Sequence, residues 1–327
     1  MSKICLLLYS FIIGCFSSIS GLHSDTAAVI SEVIRYSNGQ LNFIDYSIHF
    51  PFLTALILNL FSKLINVTFA YVIFSGFFNL LFALIVFNIC DLYNNKFSKL
   101  ISFISASWFI PTIGGYYYDN FAVVMVLFIF LLNIKLKKNL QICAIITGIL
   151  CFFSILIKQS TAMALIIPLY IYIYLNSNIL SFIYKCLYSL FGFLISLLLV
   201  IIYLEQIKEG YSIIYFEGIY QSSLVYSDNT NRLSFENLIR YIIFPYGVNI
   251  FINENKFSMG LLLFIPVVIL QYMFYFSYFF LKDIDYKYLF IFIFVGTILT
   301  QFIVGRGAIN LTYFIGLQLL CLSLMKK

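Results

Sequence analysis

Four ionisable side chains stand out beside the apolar runs of the sequence: Asp25, Asp119, Lys158 and Arg306. Asp25 lies in Gly21-Leu-His-Ser-Asp-Thr-Ala-Ala, a few residues beyond the first apolar run. Asp119 belongs to Gly114-Gly-Tyr-Tyr-Tyr-Asp-Asn120, Lys158 to Lys158-Gln-Ser-Thr161, and Arg306 to Gly305-Arg-Gly-Ala-Ile-Asn310. A carboxylate so placed can take the proton of an attacking hydroxyl as a general base. The two cations suit a phosphate, which arginine grips through two parallel hydrogen bonds. Plainer roles compete: helix capping for Asp25, helix anchoring for Asp119, and snorkelling to headgroups for the cations. Ionisable groups at membrane depth are expensive, however, and mark functional or paired positions. Two acids and two cations on one membrane face therefore favour a shared site over four separate coincidences.

The elements that must hold them follow from local pattern. Ser24 can cap the start of a helix and Asn38-Gly39 can end it. Between them Val29, Ile30, Val33 and Ile34 repeat at helical spacing, with Glu32 and Arg35 on another face. Asp25 then stands in a first turn, where the helix dipole favours a carboxylate, and Glu32 follows two turns along its face. This helix is expected to lie in the membrane interface. A second interfacial helix is expected within Phe50–Ile65, with Asp45 and His49 between the two. Tyr118 and Gln159 flank Asp119 and Lys158. Glu32, Asp45, His49, Tyr118 and Gln159 thus join Lys158 and Arg306 as candidate substrate contacts, with Asp25 and Asp119 as the catalytic pair.

Composition sets the scale of the scaffold. The 327 residues are 63% hydrophobic and 10% charged, with a mean hydropathy of +1.02, which implies an all-α, polytopic membrane protein. We read a single membrane domain over 1–327. Apolar runs suggest about ten spans, near 4–20, 67–89, 100–113, 121–134, 140–157, 162–175, 187–204, 258–281, 288–304 and 311–325. Two long outer loops remain, 21–66 and 205–257. Lysines gather on one set of span ends, with a net charge of +8 against −2 on the other, out of +6 overall. The basic side is expected in the cytoplasm, which puts both termini there, in a bacterial inner membrane. The basic balance reports this orientation, and no nucleic-acid surface is expected. Lys3 and the apolar run after it resemble a signal segment, and Ile12-Ile-Gly-Cys15 a lipoprotein box. A retained first span is the expected outcome, since its loss would break this topology. The seven cysteines show no CxxC spacing and read as small core hydrophobes. Two histidines are too few for a His-rich metal site. No Gly-rich phosphate loop, Gly-x-Ser-x-Gly or His-Glu-x-x-His occurs.

Ser24-Asp25-Thr26, Asn38-Gly39 and Asp45-Tyr-Ser-Ile-His-Phe-Pro-Phe52 together resemble the opening of GT-C fold membrane glycosyltransferases. The nearest likeness is to the protein mannosyltransferase-like and aminoarabinose transferase-like group. That group places an acid after the first span, then a glycine and an aromatic or acidic stretch, then a Pro-Pro-Leu motif. Here Phe50 replaces the first of those prolines. Tyr118-Asp119-Asn120 matches the group's second acidic turn and Ile157-Lys158-Gln159 its lysine turn. The likeness covers about residues 1–175, and Gly305-Arg306 extends it only generically. It implies a GT-C-like fold and a polyprenyl-phosphate sugar donor used at the periplasmic face. It further implies inverting transfer to a glycan, lipid or protein hydroxyl, with Asp25 as the base. Some members use a divalent metal and others none, so the likeness leaves open whether Asp25 and Asp119 share one.

Three other classes share the composition. O-antigen-type polymerases also have many spans and long outer loops, but they concentrate arginines there, and this chain has four in all. A lipid-linked sugar flippase or transporter should carry mid-span charges and repeated halves, and neither is found. A purely structural membrane protein leaves the outer-face charges unexplained.

Overall fold

The computed structural model describes residues 2–20, 24–46, 53–109, 118–136, 140–228, 269–304 and 313–325. Within these ranges the side chains of 20, 24–26, 118, 140, 223–228 and 304 are left undescribed. The described residues form helices and no strand. In chain order they are α1 (Lys3–Ser20), α2 (Ser24–Ser37), α3 (Leu53–Ser62), α4 (Val67–Leu92), α5 (Ser98–Phe109), α6 (Tyr118–Lys135), α7 (Leu140–Ile157), α8 (Gln159–Leu175), α9 (Ile179–Ile207) and α10 (Tyr211–Asp228). A helix over 269–277, α11, runs into the 3-10 turn Tyr278–Phe280. It is followed by α12 (Ile284–Leu299), the π-helical turn Thr300–Val304, and α13 (Ile315–Leu324).

Short polar side chains set the helix ends. Asn66 starts α4 by accepting from the Thr68 N–H at 2.9 Å, Asn178 starts α9 through Ser181 N–H at 2.8 Å, and Asp283 starts α12 through Asp285 N–H at 2.9 Å. The end of α2 falls where the sequence placed it. Gly39 takes φ +77° and the Gln40 N–H reaches back to the Arg35 carbonyl at 3.1 Å, a Schellman closure. The two helices expected in the first loop are present as α2 and α3.

Among the described residues three helical stretches are long and apolar enough to cross a bilayer: Val67–Leu92, Ile179–Ile207 and Ile284–Ile303. The other apolar helices are shorter than the ~20 residues of a full crossing. The expected boundary of the 187–204 span moves. α9 begins at Ile179 and takes in Lys185, whose ammonium turns back to the Ser177 hydroxyl at 2.7 Å. A lysine that can reach a polar partner need not end a span.

Helices meet closely where the sequence offers small residues. A Cβ on Gly14 of α1 would lie 2.8 Å from the Ser75 carbonyl of α4, and one on Gly148 of α7 would collide with the Ser189 carbonyl of α9. Such approach is the main source of association between helices in lipid, where apolar burial contributes little. Asn79 pins a third element, donating to the Ser10 and Ala106 carbonyls of α1 and α5 at 2.8 and 3.1 Å. The core is strongly aromatic. Phe82 stacks on Phe109 at 3.8 Å and Phe130 on Phe292 at 4.1 Å, joining α4 to α5 and α6 to α12.

Lys3, Lys135 and Lys287 share one end of this bundle. Lys3 lies over the Phe87 ring at 4.8 Å, Lys135 donates to Asn88 at 3.2 Å, and Tyr93 meets Tyr286 beside Lys287. Asp25, Asp119 and Lys158 stand on helix ends that point the opposite way.

Candidate functional site

Asp119 is the second residue of α6 and has no exposed surface. Thr161, in the first turn of α8, is also wholly buried and donates its hydroxyl to Asp119 Oδ1. Two turns that lie 42 positions apart in sequence are thus joined side chain to side chain. The N-termini of α6 and α8 both arrive here, so their unpaired N–H groups and dipole ends favour negative charge at this point.

Lys158 shapes the approach. The turn expected between two spans is a break of one residue. Lys158 is extended (φ −159°, ψ 104°), its N–H closes α7 on Ser154 O at 3.1 Å, and its carbonyl opens α8 by accepting from Ala162 at 2.9 Å. The ammonium is therefore rooted three residues from the partner of Asp119. Gln159 adds a buried Nε2 with no hydrogen-bond partner among the described residues.

The site is recessed. Phe121 packs edge-on against Phe78 at 4.4 Å, and Phe78 lies about 16 Å along α4 from Val67 at ~1.5 Å per residue. From Asp119 to Lys135 is about 24 Å of helix, less than the ~30 Å of a hydrocarbon core. α6 therefore begins well inside the length of α4.

The end of α12 reaches the same level. Phe292 meets Tyr172 at 6.3 Å. From that contact Gln301 is about 13 Å along α12, and Thr161 about 16 Å along α8. The π turn Thr300–Val304 packs on α8, and its Gln301 is wholly buried with neither amide atom partnered among the described residues. Each unmet buried amide costs about 1–3 kcal/mol. Native proteins retain few of them, and a bound ion or water is one reason for doing so. Single π turns recur at functional sites for related reasons.

A second polar cluster surrounds Glu32, which is 1% exposed on α2. Tyr36 and Tyr203 share a hydrogen bond at 2.7 Å, the Tyr211 hydroxyl donates to Asn42 O at 3.2 Å, and the Arg35 guanidinium lies 5.0 Å above the Tyr46 ring. Burial pushes the Tyr211 hydroxyl up to about 12; the bond to Asn42 opposes this and the Glu32 carboxylate adds to it. Burial and then Glu32 raise Tyr46 likewise, and burial with the Tyr203 contact raises Tyr36. These hydroxyls stay neutral donors around a buried acid.

The remaining candidates divide. Asp45 is exposed, and its Oδ2 accepts from the Leu41 N–H at 2.7 Å, so it holds the 41–46 turn closed. Asp25 stands in the first turn of α2 as expected, with its side chain outside the described residues, as is that of Tyr118. His49 and Arg306 lie outside them altogether. Thr161 and Gln301 were not anticipated as site residues. The signal for each was a small polar side chain at the end of an apolar run. Among the described residues no three histidine, cysteine or carboxylate side chains gather as metal ligands. Comparison with family models, with curated proteins and with solved structures finds no match for this chain.

Proposed function

We propose that this chain is a polytopic membrane glycosyltransferase of about ten spans and GT-C-like architecture, with α2 and α3 lying in the interface. It moves a sugar from a polyprenyl-phosphate donor to an acceptor hydroxyl at the periplasmic face. The observation that carries the reading is the hydrogen bond from Thr161 to Asp119 at the start of α8 and α6, with Lys158 three residues before Thr161 and with buried amide atoms of Gln159 and Gln301 that have no partner among the described residues. A donor phosphate suits the helix N-termini and the Lys158 ammonium, with Arg306 as the second cation.

In the proposed reaction the acceptor oxygen attacks the anomeric carbon as Asp25 takes its proton. The bond from that carbon to the phosphate oxygen breaks on the opposite side, so configuration inverts and polyprenyl phosphate departs with the bonding pair. Asp119, oriented by Thr161, positions the acceptor, and the Glu32 cluster lines its approach. The donor half is tested by binding of undecaprenyl phosphate to purified protein. Lys158→Ala is expected to weaken it about tenfold or more, the scale of one lost charge-assisted contact. Unchanged affinity in a well-folded Lys158→Ala protein would remove Lys158 from the donor site.

A further inference from the structure

At the lysine-rich end, the bundle contains a second opening that the transferase reading does not use. A cavity of about 240 Å³ lies between the end of α6, the start of α7, the end of α8 and the start of α9. Its lining is polar, including Asn133, Thr147, Asn176, Ser177 and Lys185, and no carboxylate stands among the described lining residues. From Phe121 to Leu204 the sequence contains no Asp or Glu at all, while Lys135, Lys137, Lys138, Lys158 and Lys185 fall within it. Among the described lining residues the cavity thus carries one ammonium, that of Lys185, and no carboxylate.

An apolar groove of about 330 Å³ continues from it, lined by Gly148, Cys151, Leu190 and Phe193 among others. The two spaces share Tyr170 and Ser189, whose hydroxyls hydrogen-bond to each other at the junction. Their order along the helices is consistent. On α7 the cavity takes Cys143 to Thr147 and the groove Gly148 and Cys151. On α9 Lys185 lies in the cavity, with Leu190 and Phe193 further on in the groove. α8, which runs the other way, gives Asn176 to the cavity and only Tyr170 to the groove. On every helix the polar space lies toward the lysine end and the apolar space toward the middle of the bundle. The missing side chain of Gly148 lets α7 and α9 touch beside the groove. The neighbouring face of α9 is apolar and outward, with Ile183, Leu187, Leu194 and Leu198 exposed, as acyl chains require.

We propose that these adjoining spaces form one site for an anionic phospholipid, its phosphate against Lys185 and one acyl chain along the α7–α9 groove. Basic pockets between membrane helices take anionic headgroups on this principle. The proposal rests on the membrane placement of the chain and not on its being a transferase.

The test is native mass spectrometry of the full-length protein, delipidated and then offered dioleoyl phosphatidylglycerol, dioleoyl phosphatidylcholine or inorganic phosphate. Wild type should retain phosphatidylglycerol in preference to phosphatidylcholine. Lys185→Gln should cut that retention about tenfold, as for one charge-assisted contact, while Lys185→Arg keeps most of it. Leu190→Trp, which fills the groove from its exposed rim, should cut it too. Size-exclusion profiles report folding, and Leu190→Trp carries the test if Lys185→Gln does not fold. Equal retention of the two lipids, or no effect of either Lys185→Gln or Leu190→Trp, would overturn the proposal. So would displacement of phosphatidylglycerol by millimolar phosphate with Leu190→Trp without effect, which would mark a free-phosphate site.

Discussion

Thr161→Val isolates the contact on which the recess depends. Valine keeps the shape of threonine and removes only the hydroxyl that donates to Asp119 Oδ1. Both residues are wholly buried, so their hydrogen bond is shielded from solvent in the unliganded protein. A hydrogen bond to a carboxylate is worth about 1.5–3 kcal/mol. Unfolding entropy of about 2.1 cal/mol/K per residue makes 1 kcal/mol roughly 1.5 °C for a chain of this length. Thr161→Val should therefore lower the Tm in detergent by about 2–5 °C. Ser160→Ala, one position away and only half-buried, is the control and should move it by less than about 1 °C. A cycle with Asp119→Asn should show coupling of about 0.5–3 kcal/mol. A Thr161→Val protein as stable as the Ser160→Ala control, or a cycle that is additive, would refute the contact and with it the joining of the two turns.

Three further outcomes follow from the same geometry. In a background with its native cysteines replaced by serine, a membrane-impermeant thiol reagent applied from outside should label Ser227→Cys and miss Asn139→Cys; the reverse pattern would invert the proposed orientation. Gly148→Leu should separate α7 from α9, because even a Cβ there meets the Ser189 carbonyl; overpacking of this kind costs about 1–3 kcal/mol, and an unchanged Tm would contradict the close approach. Alkaline pH should destabilise the fold: Tyr211 titrates at about 12 when folded against about 10 unfolded, so stability is intact below pH 10 and declines as pH rises from 10 toward 12. Tyr36 and Tyr46 shift in the same direction, so Tyr211→Phe should make a Tm-versus-pH curve shallower in that range without flattening it.

Local features were legible in the sequence because local physics decides them. α2 begins at Ser24, and Asn38-Gly39 bounded its end since capping needs only neighbours, Gly39 being the residue that tolerates its positive φ. Of the helix ends that the lysines mark, the start of α1 and the ends of α4 and α6 lie together, through the Lys3–Phe87 and Lys135–Asn88 contacts. Long-range coverage was not legible. Glu32 reads as a solvated position on an amphipathic helix, yet it is buried beneath a cluster that draws Tyr203 and Tyr211 from far along the chain. Asp119 and Lys158 could be named from their exceptional chemistry, but Thr161 looked like one more polar turn residue until folding set it against Asp119. Nothing in Thr300–Val304 announces a π turn, because an extra residue per turn is a response to packing on α8.

In the proposed reaction a carboxylate pair at the α2 and α6 N-termini drives sugar transfer from a lipid phosphate. Release of polyprenyl phosphate, measured by mass spectrometry in membranes supplied with a polyprenyl-phosphate sugar fraction, reads that step whatever the sugar or acceptor. Wild type should release it over time. Asp25→Asn should lower the rate about 10²–10⁴-fold, the usual worth of a general base, with normal membrane insertion. Asp119→Asn should also lower it, and Glu32→Gln should act more mildly. No release by wild type, or an Asp25→Asn protein that releases polyprenyl phosphate at close to the wild-type rate, would contradict the account.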